Sequence, residues 1–163
     1  MKPSEMPDLM EALRDPVHEF IHDSRARIVL VVNRSGKVLA QHGFTSSYEV
    51  MNVASLAAAA HASSQALAEL LNTRRWNHLH HAGKQRNMFL ALLDTPLEPL
   101  ILVVIYDEQS SLGLVELFFD RLSASVAALP QLREVRRSAD PLGFERDLEA
   151  GLDRVFTPDA EAP

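Results

Sequence analysis

The sequence predicts an α/β domain of the α+β kind: a central five-stranded, mainly antiparallel sheet with helices on its faces, in the order α-β-β-α-β-β-β-α. Three observations carry this. Ile28 to Val32 and Leu100 to Tyr106 are apolar at every position and rich in β-branched residues, as strands covered on both faces are. Hairpin-length connections dominate between the strand-like segments, which favours antiparallel neighbours. Between the two groups of strands lies a long alanine-rich stretch without glycine or proline, which reads as a helix.

The first helix is set by Leu9, Met10, Leu13, Val17, Phe20 and Ile21, which recur at three- and four-residue spacing up to about Ser24. Pro16 marks a kink or boundary within it. Ile28 to Val32 is then the first strand, Asn33 Arg34 Ser35 Gly36 is turn chemistry, and Lys37 to His42 completes a hairpin. Ser46 or Ser47 is the N-cap of the second helix, with Glu49 in its favourable first turn and an end near Asn72. Trp76 to His81 alternates as a short strand before the turn at Gly83, and Asn87 to Leu93 is the next strand. Thr95 Pro96 Leu97 Glu98 Pro99 breaks the chain before the last strand. The third helix runs from Ser111 to about Leu129, stopped by Pro130, with Asp107, Ser110 and Ser111 as turn and cap residues.

After Pro130 the composition shifts. Residues 8–129 form the predicted domain, 130–142 a linker carrying Arg133, Arg136 and Arg137, and 158–163 a disordered tail. Residues 143–157 form an amphipathic helix with Phe144, Leu148, Leu152, Val155 and Phe156 on one face and acidic residues elsewhere. So short a helix needs a surface to dock on.

The second helix is unusual. From Val50 to Ala68, about five turns, its only titratable side chain is His61. A surface helix normally has a charged face, so a helix without one is expected to be covered on both sides, by its own sheet and by a second chain. Asn52, Ser55, His61, Ser63, Ser64 and Gln65 make the segment too polar for a membrane span. Ala54, Ala58, Ala62 and Ala66 are spaced by four, which would let two helices approach closely. The predicted dimer or partner interface comprises Ala54, Ser55, Ala58, Ala59, Ala62, Ser63, Ala66, Trp76, His78 and His80.

The chain has 163 residues, a net charge of -6 and no cysteine. One core fits that length, and disulfides, thiolate metal sites and cysteine nucleophiles are excluded. The negative charge disfavours nucleic acid and anionic lipid, leaving protein or small-ligand partners. Met1 to Asp8 has no apolar signal-peptide core, so a cytoplasmic location is expected. There is neither a GxxxxGK[ST] loop nor a GxGxxG, so the chain is not expected to bind GTP or a dinucleotide, and no cofactor is predicted. No Ser, His, Asp arrangement is legible. His78, His80 and His81 cluster, and His18 with His22 has the i, i+4 spacing that can seat zinc on a helix, but no flanking Glu or Asp completes a three-ligand set nearby, and no metal is predicted. Alternation puts Trp76, His78 and His80 on one side of their strand and Leu79 and His81 on the other. At a dimer edge these rings would make association pH-sensitive near about 6.5.

From Arg27 to Leu129 the chain resembles the Roadblock/dynein light chain superfamily and, within it, bacterial MglB-type proteins. The resemblance is carried by the order and spacing of Ile28 to Val32 with Asn33 to Leu39, the helix around Ala54 to Ala58, and His81 Ala82 Gly83. Its most specific part is Leu102 to Val115. It implies a homodimer whose second helices lie side by side and whose sheets join edge to edge. It further implies a partner, a Ras-like GTPase of the MglA type, whose GTP hydrolysis or nucleotide state the dimer controls, in cell polarity or motility. The chain itself would have no active site, and its C-terminal helix could touch the GTPase.

An arginine finger supplied in trans can raise GTPase rates by about 10³ to 10⁵, which makes Arg74, Arg75 and Arg121 the residues to weigh. They are expected to be solvated surface arginines, because the resemblance implies a partner with its own catalytic arginine. Activation would then act by orientation. The alternative is a non-catalytic scaffold that recruits a GTPase or assembly without changing hydrolysis. A small-molecule site on the sheet face is a third class, for which no convergent polar set is visible.

Overall fold

In a computed structural model, residues 6–96 and 98–130 are described. The expected linker beyond Pro130, the helix of 143–157 with Phe144, Leu148, Leu152, Val155 and Phe156, and the tail of 158–163 lie outside the described residues. Among those described, the order is α1 (Met6–Ala12), α2 (Arg14–Ser24), β1 (Ile28–Val32), β2 (Val38–His42), α3 (Ser47–Leu70), β3 (His78–His81), β4 (Asn87–Leu93), β5 (Leu100–Tyr106) and α4 (Leu112–Ala127). The five strands form one sheet in the order β2-β1-β5-β4-β3, with every pairing antiparallel.

The expected first helix is two. Pro16 lies in the first turn of α2, where it has no N–H to give and its ring crowds the carbonyl of Ala12 four residues back, so the helix breaks at Leu13. At the other end Arg25 turns left-handed, φ 56°, and the chain enters β1. The β1–β2 hairpin closes as its residues suggest: the Asn33 side chain accepts from the amides of Ser35 and Lys37, and Gly36 takes φ 79°.

Helix α3 starts after Ser46, whose side chain makes no capping hydrogen bond, and stops in a well-formed C-terminal motif. Asn72 adopts φ 53°, its amide donates to the Glu69 carbonyl, and the Thr73 amide donates to that of Ala68 at 2.8 Å. Strand β3 begins at His78, two residues later than the alternation suggests. Helix α4 is capped by Ser111, whose hydroxyl accepts from the Leu114 amide, and ends at Ala127. Ahead of it Asp107 accepts from the Gln109 amide and from Arg27 at 2.7 Å, and these two donors hold its carboxyl below the usual range.

Alternation along the strands divides the interior into two cores. On one face Leu9, Leu13, Val17 and Phe20 of α1–α2 and Val115, Leu122 and Val126 of α4 cover Val29, Val31, Phe89, Leu102, Val104 and Tyr106. On the other, Val50, Ala54 and Ala57 of α3 cover Leu30, Val32, Leu90, Ile101 and Val103. Strands β1 and β5 are buried on both faces, as their unbroken apolar runs require. Among the described residues no helix is long and apolar enough to cross a membrane.

Candidate functional site

Among the described residues helix α3 lies alone on its face of the sheet, and its helical phase decides what it shows to solvent. Val50, Ala54, Ala57 and Ala68 point inward and are buried. Half a turn away Ser55, Ala59, Ala62, Ser63 and Ala66 are exposed and form a shallow strip of small side chains. Large apolar residues stand beside its two ends: Tyr48 (75% exposed), Met51 (67%) and Leu56 (69%) toward the N-terminus, Leu67, Leu70 (80%) and Leu71 toward the C-terminus. The only charged side chains on α3 are Glu49 and Glu69, one near each end. The middle three turns therefore offer apolar and hydroxyl surface with no charge to desolvate.

The alanines at spacing four do not share one face. Each step of four advances about 40° around a helix, so three steps carry the row from inside to outside. Ala54, 1% exposed, belongs to the chain's own core, and Ala58 is half-buried against it, while Ala62 and Ala66 face water. Ala54 is thus unavailable to a second chain, a correction to the interface drawn from spacing alone. Ser55, Ala59, Ala62, Ser63 and Ala66 remain on the open side.

Trp76, His78 and His80 also separate. Because β3 starts at His78, strand alternation does not reach Trp76, whose indole Nε1 donates to the Ser64 carbonyl of α3 at 3.1 Å. His78 and His80 do share a side, the one covered by α4. The His78 ring lies 4.9 Å from that of Phe89, with Nε2 3.4 Å from the Glu116 carboxylate, and His80 Nε2 is 2.9 Å from the Tyr106 hydroxyl. Burial, then the nearby Glu116 charge, raises the Tyr106 pKa. Leu79 packs on the α3 side. With β3 at one margin of the sheet, its outer edge is unpaired among the described residues and lies beside the C-terminal half of α3.

The connection between them is fastened. Gln65 Nε2 donates to the Arg74 carbonyl at 3.4 Å, and Arg75 forms a two-pronged ion pair with Asp94 at 2.8 and 2.7 Å. Hydrogen bonding to Arg75 holds the Asp94 carboxyl below its ordinary range. Arg121 lies over the Phe118 ring at 5.0 Å. His61, on the half-buried flank of α3, has its pKa lowered by burial and then by the Arg34 charge. Among the described residues no group of three or more His, Asp or Glu side chains is placed to hold a metal ion.

Sequence reasoning missed the Asp94 clamp, the Glu116 partner of His78, and the large residues at the two ends of the strip. The last were legible: counting from Ala57 at helical phase puts Tyr48, Leu56 and Leu70 outside.

No family model matches the sequence, and no curated protein does. Solved structures do match. MglB from Myxococcus xanthus superposes with a TM-score of 0.66 at 24% identity, over 72% of this chain and 86% of that one. The gliding protein MglB from Thermus thermophilus gives 0.65 at 26% identity, over 82% and 95%. A Roadblock/LC7 domain from Streptomyces avermitilis gives 0.55 at 14% identity, over 62% and 82%, a likeness of fold alone. The fold is that of the Roadblock domain, in the form MglB has.

Proposed function

We propose that this Roadblock-fold, MglB-like chain is a homodimeric regulator of a small Ras-like GTPase of the MglA kind, with the outer face of α3 as the dimer seam. The carrying observation is the uncharged, apolar back of α3, a surface that nothing among the described residues covers. Two copies related by a two-fold axis bring that strip against itself, small residues meeting in the middle and Tyr48, Met51 and Leu56 of one copy meeting Leu67 and Leu70 of the other. A further solved MglB, similar to this chain at 26% identity, is described as having a tetrameric arrangement, which supports self-association.

The arginines favour activation by orientation over an inserted finger. Arg75 is already occupied by Asp94, and Arg121 rests on its own Phe118. A dimer that binds a GTPase and holds its switch segments in place accelerates hydrolysis without donating a group of its own. Mixing the full chain with its GTPase and GTP and following phosphate release tests the reading. Acceleration that survives Arg74→Ala, Arg75→Ala and Arg121→Ala supports orientation. A stable complex with unchanged phosphate release identifies a recruiting scaffold in polarity or motility instead.

A further inference from the structure

A groove of about 620 Å³ opens between the α1–α2 pair and β2, the margin of the sheet opposite β3. Its floor is apolar, with Val17 and Leu39 buried and Met10, Ile21 and Val38 still partly exposed. We propose that this groove is the seat of the chain's own segment 143–157.

The segment needs such a surface. Its sequence places Phe144, Leu148, Leu152, Val155 and Phe156 at helical spacing, and a helix of that length is marginal in water without one. The chain can reach the groove. Val126 and Leu129, at the end of α4, pack into the same core as Leu9 and Leu13, and Ala124 and Ser125 line a cleft with Pro16 at the start of α2. The described chain therefore ends beside the helices that wall the groove. The residues from there to Gly143 span up to about 43 Å when extended, ample for the crossing.

Charge selects this groove over the two others large enough to matter. Segment 143–157 carries four carboxylates, Glu145, Asp147, Glu149 and Asp153, against Arg146 and Arg154. The α2–α4 cleft sets Glu19 and Asp23 against Arg121, and the cleft at β3 has Asp94, Glu116 and Asp120 against Arg75 and His78, so acidic groups outnumber basic ones in both. Both repel an acidic segment. The groove at β2 has Arg14, His18 and His42 against Glu11 alone, so its rim is neutral to positive. Docking of the segment here requires nothing of the proposed GTPase partner or the α3 seam.

The chain has no cysteine, so an engineered pair can form only one intramolecular disulfide. His18→Cys with Leu152→Cys, mildly oxidised in dilute full-length protein, should close within one chain, whereas Ser125→Cys with Leu152→Cys should not. Hydrogen exchange gives an independent readout: Leu152→Asp with Phe156→Asp should speed exchange at Leu39 to His42 by about tenfold or more while leaving β5 unchanged. Closure at Ser125, disulfides only between two chains, or exchange at β2 indifferent to the two aspartates would each overturn the proposal.

Discussion

The two faces of the sheet are covered by helices of opposite character. On one, α1, α2 and α4 bury an apolar stripe and turn Asp15, Glu19, Asp120 and Arg121 toward water. On the other, α3 buries Val50, Ala54 and Ala57 just as well but turns Tyr48, Met51, Leu56 and Leu70 outward. Inward packing is ordinary on both sides. What differs is the outer side, charged on the three-helix layer and largely uncharged and apolar along α3, and the proposed seam rests on that difference.

The largest expected effect tests whether the inner sides are truly alike. Leu102→Ala, under the three-helix layer, and Leu30→Ala, under α3 alone, should each cost about 2–5 kcal/mol in chemical denaturation, since both side chains are fully buried. A markedly smaller loss at Leu30 would mean that α3 is loosely held. Next comes the outer side. Ala62→Arg is exposed in the single chain, so monomer stability should move by no more than about 0.5 kcal/mol, while the mass by light scattering should fall from two chains to one. An unchanged dimeric mass would remove α3 as the seam.

Two smaller effects sharpen the margins of α3. Asp94 has a carboxyl pKa depressed in the folded chain by Arg75, so its contribution is present above the ordinary carboxylate range and is lost as pH falls through the depressed value. Both partners are about half exposed, and screening keeps the pair near 0.2–1 kcal/mol; Arg75→Ala should remove that acid-dependent increment from the denaturation midpoint. His61 titrates with the same sign for a different reason. The fold prefers its neutral ring, so its pKa is lowered, and stability is complete above about 6.5 and declines as pH drops below it. His61→Gln should flatten that weak slope, read by thermal melts across mildly acidic buffers.

Much of this fold was legible because period and chemistry agreed locally. Leu100 to Tyr106 could only be a strand buried on both faces, and Asn33 to Gly36 carried its own turn. Strand order was not legible: nothing in Ile28 to Val32 announces that its second neighbour is β5. The site was half legible. Absence of charge singles out α3 as the helix with an uncharged outer side, but a spacing of four drifts around the axis, so the row that begins at Ala54 begins inside the core. Trp76 lies ahead of the first residue of β3, where strand alternation no longer governs which way a side chain points. The Arg75–Asp94 clamp joins residues on separate elements, and pairings of that kind leave no periodic trace.

Strand β5 is the middle of the sheet and the last of its strands to leave the ribosome. Until it emerges, β1 and β2 can pair only with each other, as can β3 and β4, so each pair keeps one bare inner edge and neither can close a core. Every earlier strand waits on seven residues made late. Synthesis at about 5–20 residues per second makes that wait a matter of seconds, during which the edges are open to wrong partners. Slowing translation while β5 is still inside the ribosome should therefore lower the yield of folded protein more than slowing it once β5 has emerged.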